Sequence, residues 1–265
     1  MFLSMKTTKS YCMEDVEDFY DNVAETYYKD HMHRFVDEVF EHLLLQYLPK
    51  SPRNILDAGG GIGRFSFPLT KRGYTLVLTD ISQKMIDRAK ELASSENIKN
   101  ISFFKESVTN MINQKNNFFD VVLLLNGVLD YCSSAKDALQ EVHRVLKKHG
   151  LVIGTINNRF IYSTTNILLE KKDTNAFLKT FMTGNYAKNF PIHDFTHDEI
   201  MALLKDSDFE VIDILGPTNL LRKWEYETIV TEENRSALLA LQLSFAKKKE
   251  YLNNSTDFFI IAKKI

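Results

Sequence analysis

Apolar and polar positions alternate along this chain in two different rhythms. From Glu14 onward, Val16, Phe19, Tyr20, Val23 and Tyr27 recur at intervals of three and four, which places them on one stripe of a helix. Phe35, Val39, Phe40, Leu43, Leu44 and Tyr47 repeat the pattern and predict a second helix that ends before Pro49 and Pro52. Residues 1–13 carry no such pattern. The rhythm then shortens, with strands predicted at 55–58, 74–79, 101–104, 118–125 and 151–156. Helices are expected between them at 64–72, 83–95 and 135–148. Phe118 to Leu125 is almost continuously apolar, as expected of a strand covered on both faces. Strands alternating with helices predict a doubly wound α/β fold whose sheet is mostly parallel and whose connections are right-handed.

The alternation breaks after Asn157. Residues 158–192 mix aromatic and polar side chains, with Phe160, Tyr162, Phe181, Tyr186 and Phe190 among them. This stretch is expected to be an insertion over the strand ends. A helix (197–206), a strand (209–214), a helix (about 232–250) and a last strand (257–262) complete the reading. It divides the chain into N-terminal helices (1–50), a core (51–157), an inserted lid (158–192) and the rest of the core (193–265).

Composition narrows the classes. The 265 residues include 33 Lys and Arg against 35 Asp and Glu, a net charge of -2, so nothing general invites nucleic acid. Lys171-Lys172 and Lys247-Lys248-Lys249 are short basic clusters that solvated helix faces explain. Cys12 and Cys132 lack metal-ligand spacing and are expected to be reduced thiols. Met1 to Ser10 has no apolar run of leader-peptide type, and no run approaches the ~20 residues of a membrane helix. A cytoplasmic protein with no membrane partner and no bound metal is expected.

The most informative segment is Asp57-Ala58-Gly59-Gly60-Gly61-Ile62-Gly63, between a strand and a helix. Glycines there let the main chain turn sharply and approach a ligand. The helix N-terminus adds free N–H donors. A dinucleotide fingerprint, G-x-G-x-x-G/A, fails because its sixth position counted from Gly59 is Arg64. The observed form is D-x-G-x-G-x-G. Asp80 ends the next strand, where a carboxylate can accept hydrogen bonds from both hydroxyls of a ribose or brace the helix after Ser82.

These residues resemble the first two motifs of class I methyltransferases that use S-adenosylmethionine (SAM). Glu106-Ser107-Val108, Leu125-Asn126-Gly127-Val128-Leu129-Asp130-Tyr131 and Arg144-Val145-Leu146-Lys147-Lys148-His149-Gly150-Leu151 continue the likeness. Phe19-Tyr20-Asp21-x-x-Ala24-x-x-Tyr27 resembles that family's N-terminal signature, and the segment after Phe209 looks like the bacterial UbiE-like members. The resemblance implies a Rossmann-like seven-stranded sheet and SAM as cofactor, with S-adenosylhomocysteine as product. It places Asp57, Gly59, Gly61 and Gly63 around the methionine and ribose part of SAM, and Asp80 on the ribose. Ile81, Ser107 and Val108 fall near the adenine, Asn126 beside the reacting methyl, and Tyr20 and Tyr28 on a helix folded over the cofactor. Many relatives carry Asp where Ser107 stands, and Lys148 and His149 replace a Pro-Gly pair.

SAM carries a methyl on a positive sulfur, so transfer is an in-line displacement and depends chiefly on placing the acceptor. A base is required only if the acceptor must lose a proton. His31, His33, His193 and His197 are the candidate bases, with His193, His197 and Tyr131 preferred for acceptor contact. The expected reaction moves a methyl to nitrogen or oxygen of a small-molecule acceptor. The competing readings are a SAM-binding regulator without catalysis and an RNA or protein methyltransferase; a dinucleotide oxidoreductase is the least supported.

Overall fold

The computed structural model describes residues 13–31, 35–50, 53–187, 190–221 and 225–265. Two N-terminal helices, α1 (Met13–His31) and α2 (Phe35–Tyr47), precede the sheet. The core alternates β1 (Asn54–Ala58), α3 (Ser66–Lys71), β2 (Thr75–Asp80), α4 (Gln83–Ser95), β3 (Ile101–Lys105), β4 (Phe119–Leu124), α5 (Val128–Tyr131), α6 (Ala135–Val145) and β5 (Leu146–Asn157). The region that breaks the alternation forms α7 (Arg159–Ile161), a π-helical stretch (Tyr162–Glu170), α8 (Thr174–Thr183) and a small hairpin, β6 (Asn185–Ala187) with β7 (Pro191–His193). Then come α9 (His197–Asp206), β8 (Phe209–Leu215), α10 (Tyr226–Ile229), α11 (Arg235–Ala246) and β9 (Asp257–Lys264).

Among the described residues, seven strands form one sheet in the order β3-β2-β1-β4-β5-β9-β8. The first five run parallel, and β9 is antiparallel to both β5 and β8. This is the Rossmann-like arrangement expected from the sequence. β4 and β9 lie inside the sheet with helices on both faces, so Val121, Val122, Leu123 and Leu124, like Phe258, Phe259, Ile260 and Ile261, are fully buried. One apolar cluster joins α6 and α9 to one face of the sheet, and a second joins α2 and α11 to the other. The helix α4 packs beneath α1.

Two helix ends differ from the sequence reading by several residues. Residues 135–148 were expected to be one helix, but α6 stops at Val145 and Leu146 already pairs with Phe119. Lys264, at the end of β9, explains the stop. Its ammonium donates to the carbonyls of His143 and Leu146, capping carbonyls that a continuing helix would have used. The helix expected over 232–250 likewise ends at Ala246, and a 3₁₀ turn follows over Lys249–Asn254.

Candidate active site

The C-terminal ends of β1, β2 and β4 meet at the point where the strand order reverses, the usual place for a ligand in an open α/β sheet. A cleft opens there. Its floor is the glycine loop, its walls are the residues after β2, β3 and β4, and α1 covers it with Val16, Tyr20 and Tyr27.

The loop owes its shape to specific contacts. Gly59 and Gly60 both donate N–H to the Thr79 carbonyl, tying the loop to β2. Gly61 has φ +55°, and a Cβ there would meet no heavy atom within 4 Å, so its bare face looks into open space. Gly63 is tight for another reason: a Cβ would come 2.5 Å from the Phe67 ring, and the residue does not line the cleft.

Asp80 is buried at the end of β2. Its Oδ2 accepts the Gly61 N–H at 2.9 Å and its Oδ1 accepts the Ser82 N–H at 2.9 Å. The helix cap is Ser82 itself, which accepts from Met85 N–H. Asp57 is also buried and accepts the Ser66 hydroxyl at 2.7 Å. Burial pushes each carboxyl up to about 6, against the pull of the Ser82 and Gly61 N–H groups on Asp80 and of the Ser66 hydroxyl on Asp57.

After β3, Glu106, Ser107 and Val108 line the cleft. Glu106 braces its own loop through Asn113 N–H and Gln114 Nε2. The Ser107 hydroxyl pairs with that of Thr109 at 2.9 Å. After β4, Asn126 (φ +62°) and Gly127 (φ +85°) turn the chain sharply into α5. This presents Asn126, Val128, Tyr131 and Cys132 to the cleft. Burial pushes the Cys132 thiol up to about 12 and raises the hydroxyls of Tyr20 and Tyr131, so all three stay neutral. The Tyr131 ring meets Phe190 edge-on at 5.2 Å, and Phe190 in turn meets Phe19 at 5.2 Å and Tyr20 at 6.0 Å.

Of the residues singled out in the sequence, Asp57, Gly59, Gly61, Asp80, Ile81, Ser107, Val108, Asn126, Tyr20 and Tyr131 come together around this cleft. The Tyr28 side chain and His31's lie outside what is described, as does His33, and Tyr27 lines the cleft in their neighbourhood. His193 and His197 do not reach it. The His193 ring is held by Asn185 at 2.8 Å and packs on Phe195, and burial lowers its affinity for a proton. His197 begins α9 beside the Asp198 carboxylate, with Thr196 as the cap of that helix. Arg64, marked in the sequence only as the residue that breaks the dinucleotide fingerprint, lines the cleft and is paired with Asp37 at 3.1 Å, and Phe190, marked only as an aromatic of the inserted segment, supplies the contact to Tyr131. No local signal marks either contact, because both depend on elements distant in the chain.

Sheet order, glycine loop and buried acidic strand end together define the class I SAM-dependent methyltransferase fold. Residues 55–150 match the methyltransferase domain family. Over 231 residues the chain is 22% identical to the tRNA 5-carboxymethoxyuridine methyltransferase of Escherichia coli K12, covering 84% of each. It is 25% identical over 183 residues to the ubiquinone biosynthesis O-methyltransferase of Rickettsia bellii, covering 67% of this chain and 70% of that one. A SAM-dependent methyltransferase structure from Methanosarcina mazei superimposes with a TM-score of 0.61 at 21% identity, over 84% of this chain and 97% of the other. The chain carries a methyltransferase domain at residues 55–150, on the fold of SAM-dependent methyltransferases. The residues present fit that cofactor: the open face of Gly61 leaves room for a ligand, and the Asp80 carboxylate beside it is a group to which ribose hydroxyls can donate.

Proposed function

We propose that the protein moves the methyl group of SAM to nitrogen or oxygen of a small-molecule acceptor. The observation that carries this reading is the cover over the cleft. Val16, Tyr20, Tyr131 and Phe190 converge from α1, α5 and the segment before β7 to make an apolar aromatic wall beside the end of β4. Such a wall suits a compact acceptor and keeps water from the reacting methyl. Among the described residues Arg64 is the one cation lining the cleft, and it is paired with Asp37, which leaves little there to attract a phosphate backbone.

In this reading the glycine loop and Asp57 hold the methionine part of the cofactor and Asp80 the ribose. Ile81, Ser107 and Val108 border the adenine, and Asn126 borders the methyl. Tyr131 and Tyr20 form the acceptor wall. SAM supplies an activated methyl, and the protein supplies placement and a dry site. His193 and His197, set away from the cleft, take no part in the chemistry.

The length of the likeness to the E. coli tRNA enzyme favours a second reading, a modified nucleoside in tRNA as acceptor. Incubation with methyl-tritiated SAM separates the two. Label in a deproteinised low-mass extract supports the first reading. Label confined to added total tRNA replaces it with the second.

A further inference from the structure

Asp194, in the turn between β7 and α9, is completely buried. Its Oδ1 accepts the Asn157 amide at 2.9 Å and faces the Tyr186 hydroxyl at 3.5 Å. Its Oδ2 has no hydrogen-bond partner among the described residues. The neighbouring guanidinium, Arg159, spends its contacts elsewhere, on the Asp194 main-chain carbonyl and on the Glu199 carboxylate. Arg159 acts on the carboxyl only through space, opposing the effect of burial, and no cation hydrogen-bonds Oδ2; a buried carboxylate oxygen left so costs free energy unless a proton or a cation arrives.

The position of this group gives it meaning. Asn157 ends β5, one strand from the Asn126 turn, and its main-chain N–H is held by Asp130 next to Tyr131. Tyr131 lines the cleft, and Tyr186 packs with it in the apolar cluster around Phe190. Asp194 therefore stands one side chain behind the aromatic wall on the acceptor side. Aromatic faces with a negative charge behind them attract an ammonium group and repel a carboxylate. A neutral alcohol would bring no cation to Oδ2.

We propose that the methyl acceptor is an amine, drawn as its ammonium to the Tyr131–Phe190–Tyr186 corner by the Asp194 carboxylate, which then receives its proton. The proposal rests on the small-molecule methyltransferase reading and narrows its acceptor atom to nitrogen. One ammonium N–H bond breaks, and the proton passes by way of the Tyr186 hydroxyl to Asp194. The freed lone pair forms the N–CH₃ bond as the S–CH₃ bond breaks, and that electron pair remains on sulfur. The products are a methylated ammonium and neutral S-adenosylhomocysteine. Burial raises the Asp194 carboxyl well above the ordinary carboxylate range, which suits a group that must accept a proton. The charged and titratable groups around it are Asp130 and Tyr131 from α5, Arg159 from α7, Tyr162, Tyr186 from β6, Glu199 from α9 and Asp257 from β9.

Sinefungin, a SAM analogue with an amine-bearing carbon in place of the methylated sulfur, carries an ammonium toward the acceptor side. S-adenosylhomocysteine carries none at that position. Calorimetry on the full chain should show Asp194→Asn binding S-adenosylhomocysteine within about twofold of wild type but sinefungin at least about fivefold more weakly. The labelled low-mass product of the wild-type protein should be retained on a cation exchanger. An unchanged sinefungin-to-homocysteine ratio in the variant, or a labelled product that passes the exchanger as a neutral or an anion, overturns the amine proposal alone. Failure of wild type to bind S-adenosylhomocysteine overturns the methyltransferase reading beneath it.

Discussion

Gly61 and Asp80 work as a pair. The N–H of one is held by the carboxylate of the other, so the loop's open face and the acidic strand end are fixed together. Gly61→Val puts a branched side chain at φ +55° and into the cleft, and the folded protein is expected to lose SAM binding by calorimetry. Asp80→Ala removes acceptors each worth on the order of 1.5–3 kcal/mol, so SAM affinity is expected to fall at least about tenfold. Affinity should also fall as pH drops below about 6, where Asp80 takes a proton. The ligand-free protein answers pH in the opposite sense. Carboxyls raised from the ordinary range to about 6 bind protons in the folded state that the unfolded chain has already released. Stability contributed by Asp57 and Asp80 is therefore present at low pH, is lost as pH rises toward about 6, and is level above. Asp57→Asn is expected to melt higher than wild type near pH 7.5 and no higher near pH 4; equal melting at both would show that burying the Asp57 charge costs nothing.

At the scale of elements, Lys264 joins the sheet to the end of α6. Its ammonium also donates to Asn117 Oδ1, so one side chain closes three acceptors. Lys264→Ala is expected to cost about 2 kcal/mol, or a melting-temperature loss of roughly 4–8 °C by calorimetry. Elements whose apolar rhythm is local were legible in the sequence. Gln83–Ser95 and His197–Asp206 have the expected bounds because each begins at a hydroxyl cap, Ser82 and Thr196. The end of α6 was not legible, since its cap comes from a residue more than a hundred positions away. The glycine loop and Asp80 were legible because their chemistry lies within one β-α-β unit. Phe190 and Arg64 were not, because what they touch is decided by packing between distant segments. The segment 158–192 read as an insertion over the strand ends, and its inner structure, a π-helical stretch and a short hairpin, has no periodic signature. Shortening 165–185 is expected to leave SAM affinity within a few-fold and to abolish methyl transfer; turnover on the acceptor by that variant would show that the segment is not a lid.

At the scale of the molecule, the fold separates two tasks. In the proposed reading the ends of β1, β2 and β3 carry the cofactor side, and residues from α1, α5 and the segment after β5 close over the acceptor side. Among the described residues no helix is long and apolar enough to cross a membrane. The sheet order also sets a timetable for synthesis. β9 follows β8 in the chain yet is inserted between β5 and β8. A nascent chain complete through β8 cannot seat that strand against the sheet, because its neighbour has not been made. Until β9 arrives, β5 presents a free edge of apolar residues, the kind of surface that recruits stray strands. The sheet is thus completed only when β9, apolar and fully buried from Phe258 to Ala262, enters a waiting slot, well after the cofactor loop has been made.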